Sequence, residues 1–338
     1  GNLEWILATL LWTEWTVTIL FQHHCIRVNF CLLYDILICT IKVLNLGRFI
    51  MKRIDFENGT VTNNILSAAL PMLVAQILNL LYNIVDRIYI ARIHDIGTTA
   101  LGAVGLCFPI IMIITAFSNL FGSGGAPIFS INRGKGDSRT ADMIMNTAFT
   151  MLCGSAAVLM LIGFLFARPL LTLFGASDDA LVYAYPYLMI YLLGTLPSMI
   201  ATGMNPFINA QGYAIIGMLS VTVGAVANII LDPIFIFVLD MGIKGAAIAT
   251  VISQILSSLL VFYFLHGKSE LKVRWIHINE ISECTRHARD IISLGSAGFI
   301  MQLTNSLVSI CCNNVLSVTG GDIYISVMTI ISRLCFII

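Results

Sequence analysis

The stretch GAVANIILDPIFIFVL, residues 224–239, places a carboxylate and a proline inside an apolar run. No charged residue lies between Asp179 and Asp232, and the next one after Asp232 is Asp240. A charged side chain near the centre of a bilayer costs free energy, so one found there usually serves a function. The stretch therefore predicts a membrane helix with a polar site inside it.

The composition of the whole chain agrees with a membrane protein. Of its 338 residues, 58% are hydrophobic and 11% are charged, and the mean hydropathy is +0.92. A soluble domain is about 45–50% apolar and about 25% charged, and a membrane-spanning helix needs about 20 apolar residues. Long runs without Asp, Glu, Lys or Arg occupy residues 96–132, 143–167, 180–231, 245–267 and 291–321. The sequence therefore predicts an all-α polytopic membrane protein.

The charge and the cysteines exclude several classes of partner and cofactor. The 18 basic and 18 acidic residues balance, which argues against nucleic acid as a partner. The nine cysteines show no CxxC spacing, so we expect neither a metal site nor a disulfide framework, and no cofactor. None of the six histidines falls clearly inside a predicted core span, and no metal set or Ser/His pair lies within the spans. A transporter is therefore expected rather than an intramembrane enzyme.

Hydropathy predicts helices at about 63–91, 97–124, 141–167, 180–207, 214–239, 243–265, 288–317 and from 323 onwards. Ten Lys and Arg residues lie in the connections on the side where this core begins, against four on the other side. Cytoplasmic loops carry the excess of basic residues. We therefore expect the amino end of the core to lie in the cytoplasm.

The domain organisation follows from the same pattern. Residues 51–266 are expected to form a six-helix lobe, residues 267–288 a cytoplasmic linker and residues 289–338 the start of a second lobe. Residues 1–50 contain no Met, and their apolar residues follow no clear period. We interpret them as a non-native or unassigned extension, and the alternative is an extra membrane-associated helix. The last apolar run stops at Ile338, which we interpret as a C-terminal truncation.

A faint internal repeat supports two lobes. When residues 65–90 are shifted by 226 positions, six of 26 positions are identical, including Gln76 with Gln302 and Asn79 with Asn305. A same-direction repeat of six spans is one plan of secondary transporters. Asp86 pairs with Cys312 in this alignment, so the carboxylate belongs to the first lobe alone.

Helical spacing groups the buried polar residues. Tyr82 lies four residues before Asp86, and Asn228 lies four before Asp232, so each pair shares a helix face. Pro233 has no N–H and its ring clashes with the carbonyl of residue 229, which frees an oxygen beside Asp232. Broken helices that line a cavity are the usual place for a coupling-ion site. The acids are therefore candidates for binding H⁺ or Na⁺.

Other polar and small residues are less specific. Arg87 could pair with Asp86 or extend outward to the interface. The run Gly122-Ser123-Gly124-Gly125 favours close helix packing over a phosphate site, and three prolines in the fourth span suggest bends. The amides that could face a substrate cavity are Asn205, Asn209, Gln302 and Asn305.

Four motifs together resemble the multidrug and toxic compound extrusion (MATE) transporters. They are PMLVAQILNLLYNIVDRIYIARI (71–93), FINAQG (207–212), NIILDPIFIF (228–237) and MGIKGAAIATVISQ (241–254). The resemblance covers about residues 51–338 and implies a two-lobe bundle of twelve helices. The chain would then hold the complete first lobe and about two helices of the second.

The resemblance also implies a function. Members exchange organic cations, including drugs and dyes, for incoming H⁺ or Na⁺. It implies a monomer in the prokaryotic plasma membrane whose contacts are small organic substrates and membrane lipid. A lipid or lipid-linked precursor flippase of the same superfamily is the alternative, which expects a strongly cationic cavity.

By motif, the resemblance assigns residue roles. The coupling-cation network would comprise Asp86, Tyr82, Asn228, Asp232 and Thr250. In the first span, Pro71 would mark the point at which that helix bends, as Pro233 would in the fifth. Some members carry an acid in the seventh span, but residues 291–317 contain none.

Overall fold

The computed structural model describes residue 54 and residues 60–94, 96–275 and 280–335, and the regular structure in this part of the chain is helical. The extension 1–50 lies outside it. Within these residues, six helices are long and apolar enough to cross a membrane, or seven if one bent pair counts as a single span. This confirms the predicted all-α polytopic class. The α-helices are α1 (Val61–Ala91), α2 (Gly97–Gly134), α3 (Ser138–Leu173), α4 (Asp178–Leu193), α5 (Thr195–Ala210), α6 (Ala214–Pro233), α7 (Gly242–Tyr263) and α8 (Ile281–Cys335).

Helix α2 is the most buried of the spans and packs against α3, α4, α5 and α8. Its glycines explain why neighbours approach so closely. A Cβ added at Gly122 would lie 2.6 Å from the carbonyl oxygen of Gly203 in α5, and one at Gly124 would meet the backbone of Gly295 in α8 at 3.0 Å. The glycine run therefore serves helix packing, as the sequence predicted.

The fourth predicted span, 180–207, is two helices. Helices α4 and α5 meet at 56°, and the break lies at Gly194 rather than at a proline. Pro186 and Pro206 both lie inside regular helix. A Cβ at residue 194 would collide with the Gln254 side chain and approach Val251 of α7. The bend occurs where a glycine lets α7 approach the backbone, and Pro197 lies three residues beyond it in the first turn of α5. The predicted bend is therefore present near one of the three prolines.

The expected disturbance at Pro233 is present. Helix α6 ends at this proline, and the chain continues as a π-helix over Ile234–Val238. The missing N–H of proline removes one helical hydrogen bond, and π-turns inside α-helices are frequent at functional sites. In contrast, α1 runs through Pro71 as one continuous helix, so the bending role of Pro71 stays a prediction.

The linker is shorter than predicted and is held in place. A π-helix over Phe264–Lys268 extends α7, and α8 already begins at Ile281, so the end of the predicted segment 267–288 is helical. Between them the backbone N–H of Arg274 donates to Asn146 Oδ1 at 2.7 Å. The Arg274 guanidinium binds Glu280 at 3.0 and 3.1 Å and Asp142 at 3.2 Å. These hydrogen bonds, led by Glu280, raise the pKa of Arg274.

The start of α3 has its own cap. Asp137 Oδ1 accepts a hydrogen bond from the backbone N–H of Thr140 at 3.0 Å, and the bonds to Thr140 lower the pKa of this carboxyl. Further along the chain, α8 departs from helical geometry at Gly321, where φ is 66° and ψ is −161°. That interruption matches the expected boundary between the spans predicted at 288–317 and from 323.

Candidate functional site

The predicted polar residues of α6 and α7 meet inside the bundle. Asn228 Nδ2 donates to Asp232 Oδ1 at 3.2 Å and lies 3.4 Å from Thr250 Oγ1. Thr250 in turn donates to the carbonyl of Ala246 at 2.9 Å. Asp232 is completely buried and Asn228 is 2% exposed. Helical spacing aligned the first two, and the packing of α7 on α6 supplied the third.

Helix α1 brings the second acid to the same side. It packs against α6, and the carboxylates of Asp86 and Asp232 are close enough to interact electrostatically. Asp86 is itself buried, with 7% exposure, while Tyr82 one turn earlier is half-buried. The structure therefore places the two acids in one electrostatic environment although 146 positions separate them in the sequence.

The hydrogen bonding around Asp232 is incomplete. Asp232 Oδ2 and Asn228 Oδ1 are buried oxygens with no hydrogen-bond donor in the described structure. A buried carboxylate without a partner costs several kcal/mol, on the order of 3–5 when a partner is removed. A carboxylate oxygen and a neighbouring amide oxygen that both lack a donor are suited to bind a proton or a hard cation, which takes oxygen ligands.

Two tyrosines that sequence reasoning did not select stand near the acids. Tyr89, from α1, interacts electrostatically with Asp232. Tyr187, from α4, is 3% exposed and interacts with Asp86. Tyr187 could not have been found by helical spacing, because only the tertiary packing brings α4 to α1. Tyr89 lies three residues after Asp86 and could have been found by the i, i+3 rule.

The four predicted cavity amides separate into two groups. Asn205 Nδ2 donates to Gly217 O and Ser220 Oγ, both at 2.9 Å, and Asn209 donates to Asn205 at 3.0 Å. Asn205 therefore joins α5 to α6, and Asn209 holds the Asn205 side chain from within α5. Asn305 lines a cavity of about 300 Å³ between α1, α2 and α8, but Gln302 does not. Arg87 lines the same cavity, and this residue does not extend outward, because its side chain is only 11% exposed.

Comparison with known proteins gives a consistent result. Residues 71–234 match the family model described as MatE. The chain is 25% identical over 266 residues to the multidrug export protein MepA of Staphylococcus haemolyticus, which covers 79% of this chain and 58% of that protein. It is 25% identical over 269 residues to the protein of the same name from Staphylococcus aureus strain MRSA252, with the same coverage.

Solved structures agree with the sequence matches. The MATE multidrug transporter DinF-BH, solved as a complex, superposes with a TM-score of 0.75 at 32% identity, over 84% of this chain and 64% of that one. An inward-facing multidrug resistance MATE family transporter of the MOP superfamily gives 0.70 at 27% identity, over 80% and 61%. The chain thus spans about three fifths of the length of the relatives that it matches.

Proposed function

Because this chain belongs to the multidrug and toxic compound extrusion family, we propose that it exports drugs or other toxic organic compounds in exchange for an incoming cation, H⁺ or Na⁺. The family consists of transporters rather than enzymes. The observation that carries the coupling proposal is the buried Asp232, whose Oδ2 has no hydrogen-bond donor in the described structure and whose Oδ1 is held by Asn228.

The proposed mechanism uses the cost of burying an unpaired carboxylate. While the bundle shields Asp232 from water, its carboxylate is stable only when a proton or cation neutralises it, since burial penalises the charged form. When the bundle opens this site to the cytoplasm, water solvates the carboxylate and the cation leaves. Occupancy of the site thereby favours one orientation of the lobe over the other, which is how a ligand shifts a conformational equilibrium.

Each neighbour of Asp232 has a definite part in this proposal. Asn228 fixes the carboxylate rotamer through the 3.2 Å bond, and its own Oδ1 offers a second oxygen ligand. Thr250 holds the Asn228 amide from α7. Asp86 adds negative charge nearby, which increases the affinity for a cation, and Tyr82 lies one turn before it. The bound species is transported, so no resident cofactor is required.

The proposed substrates are small organic compounds, mainly cations, and the proposed location is the prokaryotic plasma membrane, where the protein acts as a monomer in contact with lipid. The relatives support export of organic compounds, since two are named multidrug export proteins and one solved structure is that of a multidrug transporter. A lipid flippase would need a strongly cationic cavity. Among the described side chains that line the cavity, Arg87 alone carries a formal positive charge, which favours drug export over lipid transport.

The test is efflux of the cationic dye rhodamine 6G in everted membrane vesicles that contain the protein expressed from its full coding sequence, with Na⁺ and H⁺ gradients imposed separately. Asp232→Asn should abolish gradient-driven transport while the protein remains in the membrane. Asp240→Asn is the matched control, because Asp240 is exposed and its positive φ of 50° suits asparagine. Efflux that continues unchanged in Asp232→Asn would refute the assigned role of Asp232.

A further inference from the structure

The cavity between α1, α2 and α8 differs in chemistry from the acidic site. Its apolar wall includes Phe108 and Met112 of α2, Val308 of α8 and Met328 beyond Gly321, and Arg87 approaches it from α1. Its volume, about 300 Å³, lies at the lower end of the range for small-molecule pockets. The remaining lining residues are Gly105, Asn305, Ser309, Cys312, Asn313 and Thr329.

Hydrogen-bond donors are left over at this cavity. The Nε and Nη1 atoms of Arg87 and the Nδ2 atom of Asn313 are buried without a hydrogen-bond acceptor in the described part of the chain. Asn313 is 5% exposed. A buried donor without an acceptor costs about 1–3 kcal/mol, and more for a charged group. Two side chains from different helices thus line one apolar pocket and carry N–H groups without an acceptor.

The neighbouring carboxylate does not neutralise Arg87 fully. Asp86 Oδ2 lies 3.9 Å from Arg87 Nε. A charge-assisted hydrogen bond is shorter, at about 2.7–2.9 Å. None of the described lining residues is acidic. The guanidinium of this lining residue therefore keeps N–H groups without an acceptor, and burial strengthens its attraction for an anion.

We propose that this cavity binds the carboxylate group of an amphipathic organic compound. The guanidinium of Arg87 and the amide of Asn313 would donate to the carboxylate, while Phe108 and Met112 hold the apolar body. The carboxylate of the compound would then lie beside Arg87, and a cationic group in the same compound could face Asp86 and Asp232. The proposal rests on the proposed export function where it takes the compound to be transported. Binding of the compound at this site can be tested without an ion gradient.

The test compares two dyes that differ only at the acid. They are 7-(diethylamino)coumarin-3-carboxylic acid and its ethyl ester, titrated by fluorescence at pH 7 against the purified full protein in a zwitterionic detergent. Charge-assisted hydrogen bonds contribute about 1.5–3 kcal/mol, so the acid should bind about tenfold more tightly than the ester, or more. Arg87→Gln should reduce the ratio of the two Kd values to below about threefold, since only neutral donors remain.

The variants and controls separate the proposal from general effects. Asn313→Leu, which keeps the branching at Cγ but removes the amide donor, should lower the same ratio by about threefold to tenfold, and Arg87→Lys should retain part of it. Arg92→Gln removes a cation from the exposed end of the same segment, away from the cavity, and should leave the ratio as in the wild type. Elution volume on size exclusion identifies variants that fail to fold, in which case Asn313→Leu and Arg87→Lys carry the test.

Two results would overturn the proposal. One is equal affinity for acid and ester in the wild type, or a ratio that neither Arg87→Gln nor Asn313→Leu changes. The other is loss of the acid's preference when equimolar phosphatidylglycerol is added, because the site would then belong to a lipid phosphate rather than to an organic carboxylate. Absence of gradient-driven efflux, by contrast, would count against the export function and leave the binding result intact.

Discussion

Asn228 and Thr250 lie 3.4 Å apart, amide nitrogen to hydroxyl oxygen, and this contact joins the acid-bearing helix α6 to α7. The same amide holds Asp232 at 3.2 Å. Three residues that the MATE resemblance places in one network are thus neighbours in space. Because the contacts are near the upper limit of hydrogen-bond length, small changes at Thr250 should alter the site without unfolding the bundle.

Replacement of Thr250 by valine should weaken coupling rather than folding. Valine keeps the shape but removes the oxygen that faces Asn228, and a hydrogen bond of this kind contributes about 0.5–1.5 kcal/mol. The coupling-cation concentration for half-maximal efflux should therefore rise about threefold to tenfold. Thr222→Val is the control, since Thr222 bonds only the carbonyl of Met218 at 2.9 Å in its own helix. Equal shifts in both variants would contradict a specific role for Thr250.

The packing of α2 on α5 predicts a glycine-dependent stability. Gly122→Ala forces a methyl group to within 2.6 Å of the Gly203 carbonyl, and overpacking of this kind costs about 1–3 kcal/mol. The melting temperature in detergent should fall. Gly154→Ala, where nothing lies within 4 Å, should instead keep or raise it through the better helix propensity of alanine. A lower melting temperature for Gly154→Ala alone would disprove the packing argument.

The Arg274 contacts predict that the linker opens locally when they are lost. Arg274→Gln removes the bonds to Glu280 and Asp142 but keeps the backbone bond to Asn146. Hydrogen exchange of residues 271–275 should accelerate about threefold to tenfold, because local opening becomes easier. Arg139→Gln provides the comparison: its pair with Glu283 is 3.7 Å long and largely exposed, and exposed pairs contribute little. Unchanged exchange in Arg274→Gln would show that the other hydrogen bonds of the linker, such as those of the Val273 and Leu271 N–H groups, are enough to hold it.

Cysteine labelling should report the electrostatics of the Arg87 cavity. Cys312 lines it, so in a protein with the other cysteines replaced by alanine, an anionic methanethiosulfonate reagent should gain over a cationic one at Cys312. Arg87→Gln should lower this rate ratio about threefold or more, since one charge is removed at close range. A second protein that keeps Cys153 as its single cysteine serves as the reference, because Cys153 is half-buried in α3 and is not among the residues that line the cavity. A ratio at Cys312 that does not respond to Arg87→Gln would show that the Arg87 charge does not act at the cavity.

Sequence patterns determined the class of the protein and the local part of its site. Apolar runs of spanning length fix transmembrane helices, because backbone groups in lipid must be satisfied within the helix. The i, i+4 spacing placed Asn228 and Asp232 together, because residues four apart lie on the same face of a helix. The disturbance after Pro233 also follows from one residue's covalent structure, and the structure confirms it.

Tertiary packing decided everything that depends on which helices meet. The approach of α4 places Tyr187 near Asp86, the contact of α5 with α6 pairs Asn205 with Gly217 and Ser220, and α7 packs closely at the bend at Gly194. Arg87 and Asn313 face one cavity although 226 positions separate them. Periodicity specifies the face of a single helix, whereas the partner of that face depends on complementary small residues along distant segments, which no local pattern encodes.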